Sequence, residues 1–400
     1  MITANAGTAR TVTRLILLIT LVLAHTARLP AAPLVEAERL LAQPFRASIA
    51  LETQDLRISW PTQLGCVYQL QSSSDLVLWQ DLGAARNGDG FPQDTLMPVE
   101  GARRFHRVFR TCTDVPTEAI NLAYPPPPGG NQALSRLDLY YRPDGGPKRL
   151  AVFVHGGSWV SGDKSNLRSA ASFVPWFEER GYVVAALNFR LASPMGQPLT
   201  VSYAQQAADI AHALAWLDEH GGEYGVSETG MVLVGYSSGA HLVALLAADQ
   251  HYLADAGLSA ACLAAAISLD VHVYDVPFAL QLMQGSEIEQ NIPLIQHLFG
   301  QTSQQQLLGS PSAYASVAPV PPSLLVSVEP SAEPGSHGYI TAACSQRHQE
   351  LLTSTGHTAT WQHFDNETHS SLIMNFGAAG DGPTAAVETF LENEALLRSR

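Results

Sequence analysis

From Arg149 onward the chain alternates between short runs rich in apolar residues and longer runs with apolar residues at helical spacing. The strand-like runs are "RLAVFVHGG", "YVVAALNFR", "MVLVGYS", "LAAAISLDV", "SLLVSVE" and "TATWQHF". Between them lie the helical segments "NLRSAASFVPWFEERG", "YAQQAADIAHALAWLDEHGGEYG", "SGAHLVALLAADQ" and "GYITAACSQRHQELLTSTG", and a last one near residues 385–397. A strand buried on both faces has no wet side to show a polar alternation, so near-continuous apolar strands separated by helices predict an α/β fold. The expectation is a mostly parallel sheet covered by helices on both faces. A helix-rich insertion from Pro277 to about Gln306 interrupts the alternation. Its apolar face, with Phe278, Leu280, Leu282, Met283, Ile292, Leu298 and Phe299, either completes the core or forms an acyl-pocket wall or lid.

The preceding part reads differently. From Ala47 to Arg110 the chain has short period-two runs such as "GCVYQLQ" and "RRFHRVF" between turn residues, the pattern of half-buried antiparallel strands. A small all-β sandwich over 45–112 followed by a larger domain over 117–400 is expected, and 400 residues with 46% hydrophobic composition can fill two cores. The "PPPPGG" at Pro125–Gly130 has linker composition, but strand-like "AINLAY" and "LSRLDLYYRP" flank it, so it reads as a rigid hairpin loop within the second domain.

The first residues carry Arg10 and Arg14, the apolar run "LILLITLVLA" and then small residues and prolines. These are the three zones of a secretory signal peptide, taken as residues 1–27, and they imply a secreted or periplasmic protein. The apolar run is about half the roughly 20 residues that span a bilayer, and no later run is long enough. A net charge of −14 with only 22 Lys and Arg argues against a nucleic-acid partner. Cys66 and Cys112 fall in the small β-rich part and are candidates for a bridge, whereas Cys262 and Cys344 read as buried free thiols. No Cys or His spacing suggests a metal site, and no cofactor is expected.

The chemistry concentrates in "VLVGYSSGAHLVA", residues 232–244. Here Gly235-x-Ser237-x-Gly239 stands where a buried strand passes directly into a helix. Small residues on either side let strand and helix approach while a strained turn presents the hydroxyl above the sheet, which makes Ser237 a candidate nucleophile. A serine needs a base to take its proton, and His369 in "FDNETHSSL", after the last strand, is in place for that role. Backbone N–H groups of Gly156 and Gly157, after the first strand of the alternation, and of Ser238, after the nucleophile, could stabilise a developing oxyanion.

Taken in order, "LDLYYRP", "FVHGGSWVSGDK", "LNFRLA", "VGYSSGAHLVALLA", "VHVYDV" and "SPSAYASVAPVPPSLL" resemble the α/β-hydrolase superfamily over about residues 118–400. The nearest branch is the carboxylesterase and feruloyl-esterase-like group with kynurenine-formamidase relatives. The β-rich part, with Trp60, Tyr68, Trp79 and the closing "RFHRV", resembles loosely the fibronectin-III-like modules of secreted proteins, a resemblance that implies either a spacer or a contact with surfaces or glycans. The hydrolase resemblance implies an Asp after the penultimate strand to hold the imidazole. This chain has "LLVSVEPSAEPGSHGY" there, with no aspartate. Glu333 is therefore the expected acid and Glu329 the second choice, with Asp365 behind them. Asp270 and Asp275 also follow a strand, but in the resembling family that segment is structural.

The combined expectation is a secreted serine hydrolase that cleaves a small-molecule or glycan ester through an acyl-enzyme. The alternatives are an aryl-formamidase or amidase of the same fold, and a degenerate binding protein without activity.

Overall fold

The computed structural model describes residues 47–397, apart from 53–54, 63–65, 89–91, 99–103, 113–115, 144–147 and 318. The expected signal peptide lies outside the described residues. Arg46–Arg400 forms one compact unit.

Its β-rich beginning has two antiparallel sheets. One joins β1 (Ser48–Glu52), β2 (Asp55–Trp60) and β6 (Gln93–Pro98). The other joins β4 (Gln80–Asp81), β3 (Cys66–Ser73) and β5 (Arg86–Asn87), with β7 (Phe105–Cys112) pairing β3. Alternation produces this: Tyr68 and Leu70 are buried on β3 while Val67 is exposed. Cys66 is disulfide-bonded and stands opposite Cys112 in the register of β3 and β7, and Cys262 and Cys344 are free thiols.

The eight-stranded sheet runs in the order β15, β14, β13, β12, β10, β11, β9, β8. The strands are β8 (Thr117–Ala123), β9 (Arg136–Tyr141), β10 (Arg149–Val154), β11 (Tyr182–Leu187), β12 (Met231–Tyr236), β13 (Leu263–Leu269), β14 (Ser323–Val328) and β15 (Ala359–Phe364). From β11 to β15 every pairing is parallel, and at the other edge β9 runs antiparallel to both β11 and β8. The absence of a polar face on the central strands has a direct consequence. Val152 and Val154 of β10 enter one hydrophobic core and Ala151 and Phe153 the other.

Helices cover both faces. They are α1 (Phe173–Glu178), α2 (Tyr203–His220), α3 (Ser238–Ala248), α4 (His251–Asp255), α5 (Val276–Met283), α6 (Ile292–Phe299), α7 (Ser303–Leu308), α8 (His337–Ser354), α9 (His369–Met374) and α10 (Gly382–Asn393). The first long helical expectation, over "NLRSAASFVPWFEERG", breaks into a short 3-10 turn at Lys164–Ser169 and α1. The insertion forms α5 to α7, and Leu280, Met283, Leu298 and Phe299 join the same core as α2 and α3.

The proline-rich loop is tied down by a buried ion pair. Arg190 donates from Nε to Asp209 Oδ2 at 2.8 Å and from Nη2 to Asp209 Oδ1 at 2.8 Å, while Nη1 donates to Gly129 O at 2.8 Å. One guanidinium therefore links α2 to the loop between β8 and β9. Removing one partner leaves a charge stranded in the interior, so Asp209→Ala is expected to destabilise the fold by about 3–5 kcal/mol in urea denaturation.

Two core histidines are held neutral. His241 on α3 sits between Trp159 Nε1, 3.3 Å from its Nδ1, and Gly309 O, 2.7 Å from its Nε2. His348 on α8 stacks on Tyr274 and contacts Ser312 Oγ at 2.9 Å. Burial pushes His241 down to about 4 and His348 down to about 3, from 6.5. The sign follows: below about 6.5 the unfolded chain takes up protons that the folded chain refuses, so stability falls with pH until the folded groups titrate. Thermal midpoints measured from pH 7 down to pH 4 should drop steadily, and His348→Gln should flatten that slope.

Candidate active site

β12 ends at Tyr236, and α3 begins at Ser238, so Ser237 alone makes the turn between them. It adopts φ 55°, ψ −124°, a conformation costly for a residue with a Cβ. The turn closes only because its neighbours are small: a Cβ on Gly239 would lie 2.1 Å from Val154 O, and one on Gly156 2.8 Å from Ser237 Cβ. The Ser237 N–H donates to Leu269 O at 2.9 Å, which fixes the elbow to the neighbouring strand β13.

The oxyanion candidates lie where the sequence put them. After β10 the chain runs through His155, Gly156 and Gly157, the last at φ 129°, and then through two left-handed non-glycine residues, Ser158 and Trp159. Such strain persists only where the surroundings enforce it. His155 Nδ1 donates to Gly156 O at 2.8 Å and its ring stacks on Phe189. Trp159 is anchored through its carbonyl to Gln206 Nε2 at 2.7 Å and through its indole to His241. Thus His241 supports the turn from beneath. Gly156, Gly157, Ser237 and His369 all line one cavity of about 400 Å³.

His369 is the first residue of α9, which starts with a capping box between Thr368 and Ser371. Its carbonyl accepts from Tyr236 Oη at 2.9 Å, and the two rings stack at 4.9 Å. The acid partner differs from the expectation. His369 Nδ1 lies 2.5 Å from Asp270 Oδ2, and the Asp270 side chain is fully buried. An ionised carboxylate only accepts, so Nδ1 carries the proton and Nε2 is the unprotonated ring nitrogen. Asp270 Oδ1 takes the Val328 N–H at 3.2 Å.

Glu333 is therefore corrected as the acid. It is exposed in the turn after β14, where its carbonyl accepts from Ser336 N at 3.1 Å. Glu329 comes nearer but touches the main chain of His369 rather than its ring, accepting the N–H at 3.1 Å. Asp365 binds Ser331 and His363, and Asp275 caps α5 while meeting Arg347. The reason for the change is geometric. Asp270 is the first residue past β13 and takes φ 55°, a left-handed turn that Asp tolerates better than most residues. Its N–H donates to Val326 O at 2.8 Å on adjacent β14, which leaves its carboxylate aimed along the strand ends. The usable signal was an aspartate directly after a buried strand neighbouring the nucleophile's own.

The fold is the α/β-hydrolase fold, a mostly parallel sheet covered by helices. Within it, residues 137–325 match the BD-FAE family model. A probable isoprenylcysteine alpha-carbonyl methylesterase of Arabidopsis thaliana is 31% identical over 122 residues, 30% of this chain and 24% of the relative. Esterase LipQ of Mycobacterium tuberculosis is 31% identical over 123 residues, 30% of this chain and 27% of LipQ. The chain thus spans about a quarter of the length of these curated relatives. Among solved structures, esterase B from Lactobacillus rhamnosis superposes with a TM-score of 0.54 at 16% identity, over 71% of this chain and 87% of its own. A bacterial heroin esterase gives 0.52 at 19% identity, over 70% and 85%. These two share the fold.

The arrangement separates the carboxylates experimentally. Asp270→Asn keeps the volume but no longer fixes the imidazole tautomer, and kcat for an activated ester should fall about 10³–10⁴-fold. Glu333→Gln should leave kcat within twofold of wild type in the same assay.

Proposed function

We propose that this protein hydrolyses small, uncharged carboxylic esters by way of an acyl-enzyme. The observation that carries the reading is the buried Asp270 carboxylate on His369 Nδ1, with His369 and the strained Ser237 on one cavity. In this reading the Ser237 hydroxyl attacks the ester carbonyl and its proton passes to His369 Nε2. The N–H groups of Gly156, Gly157 and Ser238 stabilise the oxyanion. The C–O bond then breaks, the alcohol leaves with the proton from His369, and a water activated by the same base releases the acid and restores the serine. Asp270 stabilises the imidazolium at each step.

Several features support the substrate class. The cavity has no Asp, Glu, Lys or Arg among its lining residues, which favours a neutral ester. About 400 Å³ suits a small acyl or aryl group. Ser158, Ser161, Asn166 and Ser169 on one side offer hydrogen bonds to a hydroxyl-bearing alcohol such as a sugar, and Phe153, Ala170, Ile373 and Met374 offer an apolar wall. Cavity lining from the insertion is not needed for this reading, because its apolar residues go to the core. Export through the N-terminal signal is part of the proposal, resting on the sequence of residues 1–27.

The test is labelling with a fluorophosphonate probe followed by peptide mapping. Modification of Ser237 in the wild type, absent in Ser237→Ala and much slower in Asp270→Asn, is the expected result. An unlabelled wild type that also fails to hydrolyse p-nitrophenyl acetate would overturn the reading in favour of a binding protein on a hydrolase scaffold.

A further inference from the structure

We propose that Glu329 is a positioning residue for the catalytic base: its carboxylate fixes the start of α9 and so sets where the His369 imidazole lies relative to Ser237 and Asp270. The inference rests on the esterase reading above and assigns a separate task to a second carboxylate.

Glu329 directly follows β14 and has φ 70°. Its own N–H donates to Glu367 O at 3.0 Å, which pins the turn to the segment before α9. From there the carboxylate divides its two oxygens. Oε1 accepts the backbone N–H of His369 at 3.1 Å, and Oε2 contacts His337 Nδ1 at 2.8 Å. His337 is the first residue of α8 as His369 is of α9, so one side chain ties together two helix starts. The chain of contacts continues: the His337 N–H donates to Glu287 Oε1, and the Glu287 N–H to Gly335 O at 3.1 Å. The Glu329 turn also lies hard against α8, since a Cβ on Gly338 would come within 2.5 Å of Glu329 O.

This geometry distinguishes the two carboxylates. Asp270 holds the ring of His369 at Nδ1, and Glu329 holds its main chain. α9 has six residues, too few to be stable by itself, so its first turn depends on such outside contacts. Tyr236 Oη on the His369 carbonyl is one and Glu329 on its N–H is another, beside the Asp270 contact to its ring. Without Glu329 the ring keeps its proton partner but loses its fixed origin. A displacement of about 1 Å costs on the order of 10²-fold in rate.

The experiment compares wild type, Ser237→Ala, Asp270→Asn, Glu329→Ala, Glu329→Gln and Glu329→Asp by steady-state hydrolysis of p-nitrophenyl acetate, with thermal melts of each. Glu329→Ala should lower kcat about 10–100-fold with KM within about threefold. Glu329→Gln, whose amide oxygen still accepts the His369 N–H, should recover most of that loss. Glu329→Asp keeps the charge but falls short of His369, so it should behave like the alanine variant; it decides the matter if Glu329→Ala fails to fold. Unchanged kcat in both Glu329→Ala and Glu329→Asp overturns the inference. So does a Glu329→Gln variant as impaired as Asp270→Asn, which would make Glu329 the triad acid. A wild type that neither turns over the ester nor depends on Ser237 removes the esterase reading itself, an outcome distinct from the other two.

Discussion

A carboxylate sealed from water is costly to fold around, and Asp270 is sealed completely. It is tolerable because three chain segments converge on it: β13 delivers it, β14 supplies the Val328 N–H, and α9 brings the His369 Nδ1–H. Charge-assisted hydrogen bonds of this kind are about twice as strong as neutral ones, so the cost of burial becomes a reason for the three segments to stay together. The elbow is fastened to the same place, since the Ser237 N–H donates to Leu269 O, one residue before Asp270. Ser237, His369 and Asp270 are thus linked through the end of one strand. Their relative placement follows from sheet order more than from loop conformation.

The architecture was legible because parallel strands buried on both faces leave an unmistakable record. "MVLVG" has no polar side and every residue of "SLLVSV" is buried, and nothing except a doubly covered sheet gives such runs a home. The hairpin reading of "PPPPGG" was recoverable for a related reason: strand-like residues on both sides outweighed a linker composition. The break between the 3-10 turn at Lys164–Ser169 and α1 was less visible, because helical spacing continues through a point where the chain has to change direction.

The site was legible in unequal measure. Ser237, Gly156 and Gly157 announce themselves because their conformations demand particular residue types at fixed spacing. His369 followed from its place after the last strand. The acid had no such local signature. A carboxylate in contact with an imidazole 99 residues away is a property of strand adjacency, and sequence spacing alone does not reveal which of two neighbouring strand ends supplies it. Expecting the acid after the penultimate strand picked the wrong one of two adjacent ends, β14 instead of β13. That strand end does carry a carboxylate in contact with His369, Glu329, but the contact is to the peptide N–H.

α9 has a further property. In six residues it carries His369 at one end and Ile373 and Met374, part of the apolar wall of the cavity, at the other. Met374 is 51% exposed, so this wall is open to whatever enters. A bulky group that presses on Met374 presses on the same short rod that aims the imidazole. In the proposed esterase, substrate range and proton transfer would be coupled through α9, and a change of side chain at 374 that accommodates a larger acyl group would be felt in turnover as well as in selectivity. In such a protein, adaptation to new esters would proceed through compensating pairs of changes, one at the wall and one where the rod is anchored.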